Sequence, residues 1–335
     1  MPETTGVLRR CILVALLSVC ALGSAGSVGA GSNRAFRVGL VLDAAELNDR
    51  TAGHSIYLGL RRAVTDLGVS GRVLTPSPKE GFAPSVDYLA RQGYDVVVVA
   101  ALDPQALVAT ARAFPKTTFV IPDQTIAKAP PNVLSMVFRE QEVGFLVGYL
   151  AALMEKQRPG RDEISSVGGD PVPSVDRYIA GFRAGARAAD PGITLLNGYS
   201  GDFVDPRRCK GLATEQITRG SGAIFPVAGG CSFGALEAAR INHAWGIGVD
   251  TDQSYLGSYI LTSAVKREDV ALFEIIRGLR DGTLHGGGTS VFTLRNGGLQ
   301  LGRVSPGVPA KTLAAVERVQ RRIEAGKIRV PSTVS

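Results

Sequence analysis

From residue 36 onward, short apolar runs alternate with longer segments in which apolar residues recur every three to four positions. The runs at 37–42 ("RVGLVL"), 72–75, 95–100 ("DVVVVA") and 117–121 ("TTFVI") are short and uniformly apolar. That pattern predicts strands of a parallel sheet covered on both faces. Helical periodicity fills 54–67, 84–92 and 104–113 between them. The alternation then restarts with an apolar helix at 140–156 and strands at 163–167, 193–197, 223–227 and 246–249. Helices at 175–189 and 206–219 separate those strands, the second opened by Asp205 as N-cap and Pro206 in the first turn. A strand at 259–263, a helix at 268–281, a tight turn at Asn296-Gly297-Gly298 and an amphipathic helix at 310–325 complete the pattern. Two βα series of about 100 residues each predict an α/β protein of two lobes. No low-complexity linker separates the series, so a hinge is expected rather than a tether.

In open α/β sheets ligands bind beyond the carboxyl ends of the strands, which makes the residues after each strand the first place to look. Those residues are Asp43, Asp123, Gly168-Gly169-Asp170, Asp202-Phe203, Gly229-Gly230, Asp250 and Lys266. Acids, one ammonium, one aromatic ring and two glycine pairs would line a cleft between lobes with hydrogen-bonding groups. Each has a plainer reading: an acid after a strand often caps the next helix, and glycines there often serve turns. Asp205 is assigned to the cap.

Composition narrows the setting. Arg9 and Arg10 precede an apolar run at 11–22 and then small residues, which reads as an export signal over 1–30. Leu17-Ser18-Val19-Cys20 resembles a lipoprotein box that would lipidate Cys20, while Val28-Gly29-Ala30 offers ordinary cleavage, and both endings stay open. Beyond the signal only Cys209 and Cys231 remain, and an exported protein with two thiols is expected to join them in one disulfide. The formal charge of +7 is scattered, without the basic stripe interleaved with aromatics that nucleic-acid binding requires. Three unpaired histidines argue against a zinc site, and no metal or cofactor is expected.

One motif points to catalysis. Gly230-Cys231-Ser232-Phe233-Gly234 spells G-x-S-x-G between a predicted strand and a predicted helix, the setting of a hydrolase nucleophile. Ser232 would then need an acid and a histidine downstream. His243 falls at the end of the very next helix, and His285 sits in a glycine-rich turn. Asp250-Thr251-Asp252 resembles a phosphatase or calcium loop but lacks companion acids at ligand spacing. A secreted serine hydrolase using Ser232 is therefore the rival reading, and a non-catalytic binding protein is the leading one.

The stretches "VGLVLD" from Val38, "PNVLSMVFREQEVGFLVGYLAALM" from Pro131, "VGGDPVPSVDRYIAGFRAGARA" from Val167 and "GDFVDPRRCKGLA" from Gly201 belong together. With "FPVAGGCSFGALEAA" from Phe225 and "GIGVDTDQSYLGSYILTSAVKREDVALFE" from Gly246, they resemble the basic membrane protein family. These are exported, often lipidated substrate-binding proteins of ABC importers, similar to purine nucleoside receptor lipoproteins. The resemblance implies a type I periplasmic-binding-protein fold with three hinge crossings and a ligand between the lobes. It implies residues 36–137 with 251–283 in the first lobe, 138–250 with 284–308 in the second, and 309–335 as a terminal helix and tail. It also implies that Asp43, Asp123, Asp250 and Lys266 hydrogen-bond the ligand, that Phe203 stacks on its base, and that Gly229-Gly230 present backbone. The partners implied are a small solute such as a purine nucleoside, an ABC permease and a membrane surface, for a monomer; a ligand sensor for a membrane partner is the variant of this reading. After the first Asp, nucleoside binders run G-G-x-x-D-x-S-F-N. In the same register this chain reads Ala45-Glu46-Leu47-Asn48-Asp49-Arg50-Thr51-Ala52-Gly53, so Ala52 and Gly53 stand in place of the second aromatic and its amide.

Overall fold

The computed structural model describes residues 34–334 apart from Ala45, residues 48–51, Pro78, Ala100, Ala101 and Arg161. The expected export signal, with Cys20, lies outside the described residues. The first βα series supplies β1 (Arg37–Val41), α1 (Ala52–Leu67), β2 (Ser70–Leu74), α2 (Ala83–Arg91) and β3 (Val96–Val99). It continues through α3 (Pro104–Ala113), β4 (Thr118–Pro122) and β5 (Val133–Phe138). The second series runs α4 (Glu140–Glu155), β6 (Glu163–Gly168), α5 (Pro173–Ala189), β7 (Thr194–Tyr199), α6 (Pro206–Arg219) and β8 (Ala223–Val227). Then come α7 (Ser232–Ile241), β9 (Trp245–Asp250) and β10 (Ile260–Lys266). The chain closes with α8 (Glu268–Arg280), β11 (Gly288–Phe292), β12 (Leu299–Leu301) and α9 (Ala310–Glu324).

Two six-stranded sheets result, in the orders β11-β5-β4-β3-β1-β2 and β12-β10-β9-β8-β6-β7. Every pairing is parallel except the short edge strand β12, which runs antiparallel to β10. Central strands such as β3 and β8 are buried along their whole length, which is why their sequences show no polar alternation. In each sheet the strand order reverses once among these strands, between β1 and β3 in the first and between β6 and β8 in the second.

The division between sheets corrects the expected lobe boundaries at two places. Within 251–283, β10 pairs with β9 in the second sheet, while α8 packs on α1 beside the first. Within 284–308, β11 pairs with β5 in the first sheet and only β12 returns to the second. The chain therefore passes between sheets after β5, after β10 and after β11, three crossings in all.

Residues 140–155 form the helix that leaves the first crossing, and it lies unusually close to α5. Gly144 and Gly148 on α4 face the backbone of Tyr178 and Phe182, and Gly181 and Gly185 on α5 face that of Gln141 and Phe145. At all four positions a Cβ would run into a carbonyl oxygen, so the small residues at spacing four set the helix separation. The terminal helix α9 packs on α4 from another side, burying Val316 and Ile323.

Candidate functional site

The carboxyl ends of both sheets open on one cavity of about 530 Å³. Asp43 reaches it from the end of β1 and Asp123 from the end of β4. From the second sheet come Phe203 after β7, Gly229 and Gly230 after β8, Asp250 closing β9 and Lys266 closing β10. Seven of the eleven residues singled out at strand ends thus line the same space, near the point where each sheet reverses its strand order. Asp170 and Asp202, also at strand ends, are not among the lining residues.

Backbone geometry sets two of the acids apart. Asp123 and Asp250 hold φ near +60°, the left-handed region that costs most side chains roughly 1–2 kcal/mol. The left-handed step turns the chain sharply at each strand tip and brings the carboxylate into the cavity wall. Strain of this kind persists where the surroundings over-determine it, commonly at ligand sites.

Behind the acids lies a buried charge cluster. The Lys266 ammonium, 3% exposed, donates to Asp123 Oδ2 at 2.7 Å and lies 3.2 Å from Glu268 Oε1. It also sits 5.4 Å from the centre of the Phe138 ring. Burial alone would lower the ammonium's pKa, but Asp123, Glu268 and Asp250 outweigh it and hold it well above the ordinary lysine range. On the other flank Arg177 pairs with fully buried Glu140, Nε to Oε2 at 2.5 Å. Burial pushes Glu140 up to about 7 in spite of Arg177, with Asp123 adding to the rise. The Tyr178 hydroxyl donates to Asp250 Oδ1 at 3.3 Å and is itself raised well above its usual value, by burial and then by Asp250.

Phe203 is held as a platform from three directions. Asp202 Oδ1 accepts the amides of Val204 and Asp205 at 2.6 and 2.8 Å, fixing the turn that carries the ring. The Phe203 carbonyl accepts the Cys231 amide at 3.1 Å. The ring lies over Gly169, where a Cβ would sit only 2.7 Å from Cδ1 and Cζ. Gly229, at φ 51°, has the same need: a Cβ there would meet the Phe203 carbonyl at 3.0 Å. One glycine of each pair therefore serves close approach to Phe203, Gly169 to its ring and Gly229 to its carbonyl, while Gly168 faces the Tyr199 ring. Phe203 remains 37% exposed.

The expected Cys209–Cys231 disulfide is present, with Cα atoms 5.6 Å apart, and joins α6 to the glycine loop beneath Phe203. Asp205 caps α6 as expected, accepting the Arg207 amide at 3.0 Å. Ser232 is fully buried, and its hydroxyl accepts the Ala228 amide at 3.0 Å, so it ties the loop together from inside. His243 lies beyond the far end of α7, roughly 15 Å away at 1.5 Å per helical residue. The G-x-S-x-G spelling is thus a by-product of a glycine loop entering a helix. Among the described residues, no group of three or more His, Cys, Asp or Glu side chains could hold a metal ion.

Strand-end reasoning missed Glu46, Phe82, Ser174, Val175, Tyr178 and Phe233, which also line the cavity. Ser174, Val175 and Tyr178 ride on α5 and Phe233 on α7, so only packing, and no strand terminus, brings them in. Glu46 belongs to the loop after β1, where Asp43 N donates to its Oε2 at 3.4 Å. Its side chain fills the room beside Gly53, whose missing Cβ would meet Glu46 Cδ at 3.1 Å and Leu42 Cδ1 at 2.9 Å. Ala52, first residue of α1, completes that wall.

Residues 36–333 match the family model described as "ABC transporter substrate-binding protein PnrA-like". A similar relative is the "ABC transporter nucleoside-binding protein BmpA" of Lactococcus lactis, 29% identical over 95% of each chain. An uncharacterized lipoprotein of Pyrococcus horikoshii is also 29% identical, over 85% of this chain and 74% of its own. Among solved structures, a solute-binding protein of an ABC transporter system from Aeropyrum pernix superposes with a TM-score of 0.79 at 24% identity. That alignment covers 90% of this chain and 94% of the other, and it shows a shared fold.

Proposed function

Because the chain belongs to the PnrA-like family of ABC transporter substrate-binding proteins, we propose that its cavity captures one nucleoside-like solute and that an ABC permease receives it. The observation that carries this reading is the convergence of Asp43, Asp123, Phe203, Gly229, Gly230, Asp250 and Lys266 on one 530 Å³ space. Carboxylates and an ammonium suit the hydroxyls of a sugar, and a half-exposed ring over glycines suits the face of a base. The nucleoside-binding name of the Lactococcus relative supports the same solute class. No described helix is long and apolar enough to cross a membrane. Attachment through a lipid on Cys20 belongs to this proposal, supported by relatives named as lipoproteins.

Calorimetry with inosine, guanosine and adenosine tests the solute. Asp250→Ala is expected to cost at least tenfold in affinity, since charge-assisted bonds contribute about 1.5–3 kcal/mol. Ala52→Phe, which adds a second aromatic ring to the wall beside Glu46, is expected to tighten nucleoside binding. If none of the three binds and Ala52→Phe gains nothing, the nucleoside assignment fails while the family assignment stands.

A further inference from the structure

Glu268 opens α8 just past the second crossing between sheets, and it is 1% exposed. Neither of its buried carboxyl oxygens finds a hydrogen-bond donor in acceptable geometry. Its nearest cation, the Lys266 ammonium at 3.2 Å, is committed more closely to Asp123 at 2.7 Å. The groups around it come from several elements: Lys266 on β10, Asp123 after β4, Asp250 ending β9 and Tyr178 on α5. Glu140 on α4 adds a further carboxyl to the same cluster, matched by Arg177. On the α1 side, Ser55 Oγ is taken by the amide of Asp269. Among the described residues, three of these acids, Glu140, Asp123 and Glu268, pair with two cations, Arg177 and Lys266.

A buried carboxylate without donors and beside other carboxylates is strongly disfavoured, whereas the neutral acid is not. We propose that Glu268 is a positioning residue for solute capture: a neutral acid at neutral pH, it backs the Lys266 ammonium and leaves that cation to Asp123 and the solute. The proposal rests on the reading of the cavity as the solute site. Burial, with Asp123 and Asp250 nearby, raises the Glu268 carboxyl well above its ordinary value despite Lys266, in the direction the geometry requires. When pH rises far enough to remove the proton, Glu268 becomes a competitor for Lys266 and draws it away from the cavity wall. Binding that uses Lys266 then weakens on the alkaline side, and an amide at 268, which cannot ionise, abolishes that weakening.

Infrared spectroscopy on Glu140→Gln and on the Glu140→Gln, Glu268→Gln double variant tests the protonation without any ligand and without the acid band that Glu140, near pKa 7, itself contributes. A carboxylic-acid carbonyl band is expected at pH 7 in Glu140→Gln and lost in the double variant. Calorimetry with inosine across neutral to alkaline pH tests the positioning. Glu268→Gln is expected to lose the alkaline decline that wild type shows. A missing acid band in Glu140→Gln overturns the proposal, as does an alkaline decline in inosine affinity that persists in Glu268→Gln. If inosine does not bind wild type at all, the nucleoside reading fails, and the infrared band alone decides the state of Glu268. Should the double variant fold poorly, the Glu140→Gln band and its loss on alkaline titration decide the same point.

Discussion

Replacing Gly169 by alanine separates the aromatic platform from the rest of the fold. Gly169 follows β6 with its amide bonded to the Val227 carbonyl at 2.9 Å and its carbonyl taking the Gly201 amide at 3.0 Å. Its backbone lies outside the left-handed region, so an alanine fits the chain itself. The added methyl would stand 2.7 Å from Phe203 Cδ1 and Cζ, against about 3.5–4.0 Å for comfortable carbon contacts. The backbone is pinned and the ring is 37% exposed, so the ring should yield. Displacing it by roughly 1 Å into solvent should change folding stability by less than about 1 kcal/mol. Stacking on an aromatic side chain contributes about 1–3 kcal/mol per base, so affinity should fall roughly ten- to a hundredfold. Isothermal calorimetry with inosine, alongside urea unfolding of both proteins, reads the two quantities separately. Wild-type affinity in a normally folded Gly169→Ala protein would refute the placement of the solute on Phe203.

Other perturbations test other links. Opening the 22-residue loop closed by Cys209 and Cys231, through a double serine substitution, should cost about 3 kcal/mol in urea unfolding, and an unchanged midpoint would show that the bridge is idle. Glu140 stands near pKa 7 when folded and near 4.5 when unfolded, so the folded state binds the extra proton. Its share of stability, up to about 3 kcal/mol, is therefore present below pH 4.5 and lost as pH climbs through 7. Glu140→Gln should flatten the fall in stability between pH 5 and 8, and an unaltered slope would remove Glu140 as its source. Gly148→Ala drives a methyl into the Phe182 backbone and should destabilise by about 2 kcal/mol or more, whereas Gly211→Ala on α6, with nothing within 4 Å, should be neutral or mildly stabilising. Equal effects of the two glycine substitutions would contradict the close packing of α4 on α5.

The two βα series and most strand positions could be read from apolar runs, because buried parallel strands carry no competing pattern. What escaped were β5, β11 and β12. Residues 133–138 run almost directly into the apolar helix α4, with only Arg139 between, so no punctuation marks two elements. Strand β11 opens on the last of three glycines and is largely exposed at a sheet edge, and β12 is three residues long. Because β10 and β11 each belong to the sheet opposite the one that the expected lobe boundaries gave them, those boundaries could not be placed without the pairing. Strand ends revealed the acids, Phe203 and the glycine loop, since topology brings every carboxyl end to one side. The role of Gly169 beneath Phe203, the glycine contacts of α4 with α5, and the burial of Glu268 depend on distances between elements far apart in sequence. No local pattern encodes those.

The central claim is that the space walled by Asp43, Asp123, Phe203, Asp250 and Lys266 holds one small solute. Native mass spectrometry of the protein, purified without denaturant, tests it most directly when wild type is run beside a Phe203→Ala, Asp250→Ala double variant. The account predicts a single bound molecule of nucleoside mass at one-to-one stoichiometry on wild type, absent from the variant. A wild-type spectrum that stays bare after incubation with nucleosides, or a bound molecule retained equally by the variant, would contradict it.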